Sequence, residues 1–424
     1  MSFDNYHDNR KSLAWKLFSV DPQGKRAKCS VCQKFYSLSN TGSLLRHFKS
    51  AHPSDFDKKH KVLWMLPTWQ CIDEHAIPLE KYGISQNDGQ KFINGSKFAI
   101  FYMEKFGKFP YFEELSENRP INGGLPQTGD ISEHLRIAEN NILESIPSRD
   151  FDGVAVIDLE HFRPNWELSW GKFDVYKKES IKLVRQKYPL WDKKQIQEEA
   201  KQQYESATRI FFVETIRLGK RLRPKAKWGY YLFPKCNNNV GQIGEKDCSQ
   251  KFEMYNDNLD WLWIESTALF PSYYLHSKDR NIQLFNLYNF AALIMESNRI
   301  KSKYCPNCEI HMFTSFEYDP YNNPTDFYSK SNLWATLEIA MKMGVKSTVF
   351  WSTSYKIKNR CDGIKGYVED TLGPYVDKTN RYLEKCRQKQ CNGRGECYLP
   401  RVKKNPQYFH FKCRCDSGSS SEYC

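Results

Sequence analysis

Between Phe98 and Trp351, short apolar runs alternate with longer charged, amphipathic stretches, and this rhythm constrains the fold more than any other feature of the chain. The runs 98–102, 154–159, 228–233, 261–264, 311–316 and 348–351 have the length and apolar continuity of strands buried on both faces. The stretches 131–146, 173–222 with a break at Pro189, 282–298 and 332–343 have the length and patterning of helices. Such alternation builds a parallel sheet with crossover helices, and an array of roughly 300 residues suits a (β/α) barrel. The expected class is therefore α/β, a distorted (β/α) TIM-like barrel at 61–378, flanked by a small N-terminal module at 1–60 and a cysteine-rich tail at 379–424. The longest apolar run is six residues, 290–295. About 20 are needed to cross a bilayer, so no membrane span is expected.

The N-terminal module carries a metal-site pattern. Cys29 and Cys32 are followed after fourteen residues by His47 and, after four more, by His52. Two thiolates on a tight knuckle and two imidazoles about one helical turn apart can close a tetrahedron around a structural zinc. Leu44, Leu45 and Phe48, with Trp15 and Phe18 upstream, supply a miniature core that needs the metal to fold. With the run Thr41 to His47, the segment resembles a BED-type zinc finger, a small ββα module of DNA-binding proteins. That resemblance implies DNA contact through Lys25, Arg26, Lys28, Lys34, Arg46 and Lys49. The first sixty residues hold eleven Lys or Arg against five Asp or Glu, and the whole chain carries a formal charge of +13. A basic balance of this kind favours polyanionic partners, nucleic acid or an acidic polysaccharide among them.

The run Phe151 to Glu160 reads as a turn feeding a buried strand that ends in two acids. Residues i and i+2 of a strand share a side, so Asp158 and Glu160 project together while Leu159 points away. Two neighbouring carboxyls in a desolvated site cannot both ionise cheaply, and one is pushed to keep its proton. At the C-terminal end of a barrel strand, that is equipment for glycosidic cleavage.

Over about residues 61 to 424 the sequence resembles the hyaluronidases of venoms, sperm and lysosomes. The resemblance rests on Leu66, Pro67, Thr68 and Cys71; Phe101, Tyr102, Phe109, Pro110 and Tyr111; Gly123 to Gln127; Phe151 to Trp166; Trp228 to Tyr231 with Pro234 and Cys236; Ser266, Ala268, Leu269, Pro271, Ser272 and Tyr274; and Val349 to Ser352. It implies an endo-acting glycoside hydrolase that cleaves β-1,4 N-acetylhexosaminide bonds of hyaluronan, and of chondroitin, by substrate-assisted retaining hydrolysis without a catalytic cofactor. Glu160 matches the general acid and Asp158 the residue that holds the acetamido nitrogen. Tyr231, Tyr274 and Trp351 match residues lining the sugar groove.

The same resemblance implies disulfides Cys71–Cys361 and Cys236–Cys248. For a growth-factor-like (EGF-like) tail it implies Cys386–Cys397, Cys391–Cys413 and Cys415–Cys424. Cys305 and Cys308 have no counterpart in the family and read equally as a local disulfide or two thiols. Asn94, in Asn94-Gly95-Ser96, is a glycosylation sequon that fits secretion. The chain is expected to act as a monomer. The enzyme part points to a secreted or lysosomal location, yet residues 1–10 are polar and lack the apolar stretch of a secretory signal. A genuine finger points instead to the nucleus. Two other readings remain: a DNA-binding protein that carries an inactive barrel, and a finger joined to the enzyme by exon misassignment.

Overall fold

Val154, Ala155, Val156 and Ile157 are all buried, as a central parallel strand with no solvent face requires. The computed structural model that shows this describes residues 18–20, 26–29, 34–37, 44, 60–90, 94–242, 245–402, 410–415 and 420–424. Its chain divides into two units, one formed by Asn87–Leu275 and Asn281–Thr314, the other by Met1–Gln86, His276–Arg280 and Ser315–Cys424.

In the first unit the strand Val154–Asp158 lies parallel between Phe98–Tyr102 and Lys227–Tyr230, with Tyr102 opposite Asp158 and Tyr230 opposite Ile157. The order continues through a parallel bridge, Tyr231 to Phe270, into Ala268–Leu269 and then Glu309–Thr314. The strands thus stand side by side in chain order, as successive crossover units place them. Gly229 permits this spacing, because a Cβ there would lie 2.2 Å from the Ala268 carbonyl oxygen. Helices Ile131–Ser145, Asp174–Lys187, Lys193–Leu222 and Gln283–Tyr304 are the crossovers. Pro189 falls in the break between the second and third. Asp192 then restarts the chain with a capping box: its Oδ1 accepts from the Gln195 N–H at 2.9 Å, and Gln195 Oε1 accepts from the Asp192 N–H at 3.0 Å. Ile196, Ala200, Tyr204, Thr208, Phe211, Thr215 and Gly219 bury one stripe of that long helix.

One expected strand is corrected. Residues 261–264 lie in the helix Asp260–Glu265, where Leu262 and Trp263 are buried and Ile264 is exposed. Four apolar residues are too few for periodicity to separate helix from strand. The strand of this neighbourhood is Ala268–Leu269, three residues on.

The second unit centres on a strand that the sequence reading left out, Lys61–Met65, parallel to Ser347–Trp351 on one side and Ile84–Ser85 on the other. It abuts the charged stretch at 55–61, which masked its start. Trp64 stacks on Phe316 at 4.9 Å, and the disulfide Cys71–Cys361 joins positions 290 residues apart. Beside Trp351, the Ser352 hydroxyl donates to Glu317 Oε2 at 2.6 Å, and Arg360 Nη2 donates to both Glu317 oxygens at 2.7 and 2.5 Å. Both charged groups are sealed from solvent. Burial pushes the Glu317 carboxyl up and Arg360 opposes it.

The helix Gly373–Gln390 leads into an antiparallel sheet of Gly395–Tyr398, Lys412–Cys415 and Ser420–Ser421. Cys386–Cys397, Cys391–Cys413 and Cys415–Cys424 are disulfides there. The Leu399 N–H donates to the Lys342 carbonyl at 2.6 Å, docking the tail on the helix Ile339–Lys342.

In the N-terminal module three antiparallel strands are present, Phe18–Val20, Arg26–Cys29 and Phe35–Ser37. The expected ββα outline has one strand fewer. Phe18 and Val20 are good strand formers and pair with Cys29 and Ala27, whereas the sequence reading used Phe18 only for packing. No helix among the described residues is long and apolar enough to cross a membrane.

Arg360→Met should destabilise the protein by about 3–5 kcal/mol, because it strands a buried carboxylate. Glu317→Gln combined with Arg360→Met should recover part of that loss in denaturant unfolding. A double variant no more stable than the single one would refute this account of the pair.

Candidate active site

Asp158 is the last residue of its strand, and Glu160 follows two residues on. The parallel register puts Tyr102 on one side of Asp158 and Tyr231 just beyond the other neighbouring strand. Asp158 is half-buried, and its Oδ1 is shut off from solvent with no hydrogen-bond partner among the described residues. Burial, then the charges of Glu160 and Glu104, hold its carboxyl well above the usual aspartate range. Glu160 is exposed. Two interacting carboxyls therefore differ sharply in solvation.

Tyr231 follows the strand Lys227–Tyr230, and its N–H donates to the Ile157 carbonyl at 2.9 Å. Its hydroxyl is hydrogen-bonded with Ser272 and Tyr274, and its ring meets Phe313 edge-on at 5.1 Å. Burial and then the Glu160 charge raise this phenol above its ordinary value, with Asp158 adding to the effect. The structure thus brings Asp158, Glu160, Tyr231 and Tyr274 together past the C-terminal ends of adjacent parallel strands. Trp351 ends the strand Ser347–Trp351 of the other unit, next to the Ser352–Glu317–Arg360 network.

Two cationic residues had no role assigned from sequence, although Arg163 falls within the matched run Phe151 to Trp166. Arg163 Nη1 donates to the Glu160 backbone carbonyl at 3.1 Å, and its guanidinium lies 4.3 Å from the Phe173 ring centroid. The Tyr204 hydroxyl donates to the Arg163 carbonyl at 2.6 Å, fixing the backbone. Lys235 lies four residues beyond Tyr231, between Pro234 and the disulfide Cys236–Cys248. A cleft of about 350 Å3 is lined by Arg163, Trp170, Phe173, Lys235, Ser272 and Tyr273 among others. The signal available for both cations was position: each follows closely on a strand end that carries site residues.

Of the metal-site residues, Cys29 is buried at the end of its strand, and its N–H donates to the Lys34 carbonyl at 2.9 Å. Cys29 and Lys34 thus flank an antiparallel strand pair, and a buried thiol at that position fits a zinc ligand. Cys32, His47 and His52 lie outside the described residues. Arg26 and Lys28 sit over the Phe35 ring at 5.0 and 5.8 Å. Asn94 is half-buried beside a turn, bridged to Ala99, and Ser96 Oγ accepts from the Asp88 N–H at 3.3 Å. Cys305 and Cys308 are joined as a disulfide.

Comparison with known proteins bears on this arrangement. The sequence profile of the hyaluronidase family of glycoside hydrolases matches residues 49–421, and that of the BED zinc finger matches 12–53. A Caenorhabditis elegans protein named chondroitin hydrolase is 57% identical over 365 residues, 85% of this chain and 80% of that protein. Human hyaluronidase-1 is 31% identical over 79% of this chain and 77% of its own length. Among solved structures, bee venom hyaluronidase in complex with a hyaluronic acid tetramer superposes with a TM-score of 0.68 at 30% identity, covering 76% of this chain and 99% of that one.

Because the Glu160 charge raises the Asp158 carboxyl, Glu160→Gln should lower the pH at which Asp158 titrates, followed by carbon-13 NMR of labelled aspartate. An unchanged Asp158 titration would mean that the two acids do not interact.

Proposed function

The chain belongs to the hyaluronidase family of glycoside hydrolases, and from that premise we propose that it is an endo-acting hydrolase of β-1,4 N-acetylhexosaminide bonds in chondroitin and hyaluronan. The observation that carries this is the desolvated Asp158 beside the exposed Glu160, near enough to Tyr231 for both acids to act on its phenol, on a strand end of a family member. The names of the relatives support a glycosaminoglycan substrate.

In the proposed mechanism the substrate's own 2-acetamido carbonyl oxygen attacks the anomeric carbon, the glycosidic C–O bond breaks, and Glu160 gives its proton to the leaving oxygen. A cyclic oxazolinium ion results. Water, deprotonated by Glu160, then opens it with net retention at the anomeric carbon, and Glu160 recovers its proton. Asp158 accepts the acetamido N–H. Accepting that bond favours the Asp158 anion, so substrate binding moves the pair's shared proton toward Glu160, where the leaving group needs it. Tyr231 and Tyr274 hold the acetamido group, and keeping its oxygen in line supplies several kcal/mol of the barrier reduction, on the order of the effective-molarity effect.

The distorted (β/α) barrel at 61–378, the growth-factor-like tail at 379–424 and a monomeric state belong to the same proposal. So do secretion or lysosomal location, glycosylation at Asn94, and a catalytic reaction without a cofactor. The BED profile match favours a second activity in the N-terminal module: Cys29, Cys32, His47 and His52 hold a structural zinc, and Arg26, Lys28 and Lys34 contact DNA phosphates.

Glu160→Gln should reduce hydrolysis of chondroitin and hyaluronan by about 10²- to 10⁴-fold, the usual share of a general acid, while thermal unfolding stays unchanged. Equal rates for the two proteins, measured by reducing-end release, would reject the assignment of Glu160. Activity of neither protein on either polymer would favour the DNA-binding reading.

A further inference from the structure

Between the helices Asp174–Lys187 and Lys193–Leu222 the chain turns through Tyr188, Pro189, Leu190 and Trp191. Four consecutive apolar residues at a turn in solvent run against the patterning of a soluble surface. Packing accounts for Tyr188, which is half-buried against the core cluster of Val184, Ile196 and Ala200. Trp191 stacks flat on the Tyr188 ring, 4.0 Å between centroids and 6° between planes, and still leaves 37% of its surface in water. Leu190 is 96% exposed, and no large apolar side chain among the described residues is more so. The turn that presents it is stiff. Pro189 fixes its own φ, the Tyr188 N–H donates to the Val184 carbonyl at 2.8 Å, and the Trp191 N–H donates to the Tyr188 carbonyl at 3.2 Å.

Charge of one sign flanks this tip. Residues 185–194 hold four cations, Arg185, Lys187, Lys193 and Lys194, against one acid, Asp192. All four are exposed. Lys194 Nζ lies 3.9 Å from Glu198, and Lys187 Nζ lies 5.1 Å from the Tyr188 centroid. The Asp192 carboxylate is committed to the helix cap, where it accepts from the Lys194 and Gln195 N–H groups at 2.7 and 2.9 Å.

The tip also projects in a defined direction. Gly219 packs on the Trp228 ring, and the Tyr230 hydroxyl donates to the Phe212 carbonyl at 3.1 Å, so the long helix runs antiparallel to the strand Lys227–Tyr230. From Phe212 back to Lys193 the helix continues for 19 residues, about 28 Å. The tip therefore stands well past the strand end, on the side where the parallel neighbour Val154–Asp158 delivers its acids.

We propose that this tip docks the protein on an anionic lipid bilayer. Leu190 enters the acyl region, the Trp191 indole lies at headgroup level, and Arg185, Lys187, Lys193 and Lys194 meet the lipid phosphates and carboxylates. A second copy of the chain would bring these cations against themselves, and a soluble polyanion offers nothing to Leu190. The docking goes beyond the hydrolase reading and does not depend on it.

The test is co-sedimentation of the full chain with vesicles of phosphatidylcholine alone and of phosphatidylcholine with about 30% phosphatidylserine. Wild type should bind the mixed vesicles. Leu190→Asp should lower its bound-to-free ratio by about tenfold or more, the scale of one buried leucine. Lys193→Gln combined with Lys194→Gln should lower it by about tenfold or more on the mixed vesicles only. Unchanged thermal unfolding of the variants separates lost docking from lost folding. Bromine-labelled acyl chains should quench tryptophan emission of wild type and not of Trp191→Phe, which places the tip in the bilayer. Absence of vesicle binding by wild type, or binding that Leu190→Asp leaves intact, would overturn the proposal. Without vesicle binding, a smaller particle for Leu190→Asp than for wild type in sedimentation velocity would assign the tip to a second copy, and loss of chondroitin sulfate binding in the double lysine variant would assign its cations to a soluble polymer; either result overturns the docking.

Discussion

An aspartate whose carboxyl has lost its water beside a second carboxyl that has not is the constraint on which the site depends. It follows from backbone placement. Asp158 ends a strand flanked on both sides by parallel partners, so the apolar residues before it are buried and its own side chain emerges where solvent is already thin. Glu160 lies past the end of the strand and keeps its water. The asymmetry survives only while the neighbouring strands stay close, and Gly229 shows how close they are, since its missing side chain leaves room for the Ala268 carbonyl. The tyrosine near both acids directly follows the strand of that glycine, two residues beyond it. Close strand packing and acid–base chemistry thus have one origin.

Much of this was legible in the chain because the relevant signals are local. A Val-Ala-Val-Ile run ending in Asp-x-Glu specifies a buried strand with two acids on one side without reference to anything distant. Pro189 and the Asp192–Gln195 capping box mark a helix boundary in residues three apart. What was missed is what depends on neighbours. The run 261–264 is apolar enough for a strand, and only the packing of Leu262 and Trp263, with Ile264 outside, makes it helical. Lys61–Met65 has partners at 84–85 and 347–351, sites that no local pattern connects to it. Lys235 carries no motif at all. Its position depends on Asn256, 21 residues further along, which holds its peptide from both sides.

The second unit solves a different problem, the holding of Trp351. Ser352 is tied to Glu317, and Glu317 to Arg360, whose Nη1 also reaches the carbonyls of Thr353 and Tyr355 at 2.9 and 3.2 Å. The segment following Trp351 is thereby clamped along several consecutive residues. A buried ion pair of this kind contributes little net stability compared with apolar packing, since desolvation offsets most of the attraction. Its value lies in direction: it permits one arrangement of the backbone that carries the tryptophan, where a greasy contact would tolerate several. Cys361, next to Arg360, adds a covalent tie to Cys71 from the other end of the fold.

Sulfur chemistry sets two different demands within the chain. Cross-linking positions 290 residues apart removes conformational entropy from the unfolded chain, about 6 kcal/mol in the loop-closure model. The small tail has three further disulfides and little core of its own. These bonds persist only where the surroundings are oxidising. A zinc site built on Cys29 and Cys32 asks for the opposite, thiolates available to a metal, and two cysteines so close in sequence are open to oxidation until the metal arrives. The two demands are not equal in weight. A finger that binds its zinc early keeps its thiolates engaged in either compartment, whereas a hydrolase denied its disulfides loses the covalent tie beside Arg360 and the framework of its tail. The covalent ties of the catalytic part and the thiolates of the finger therefore place opposite redox demands on one chain.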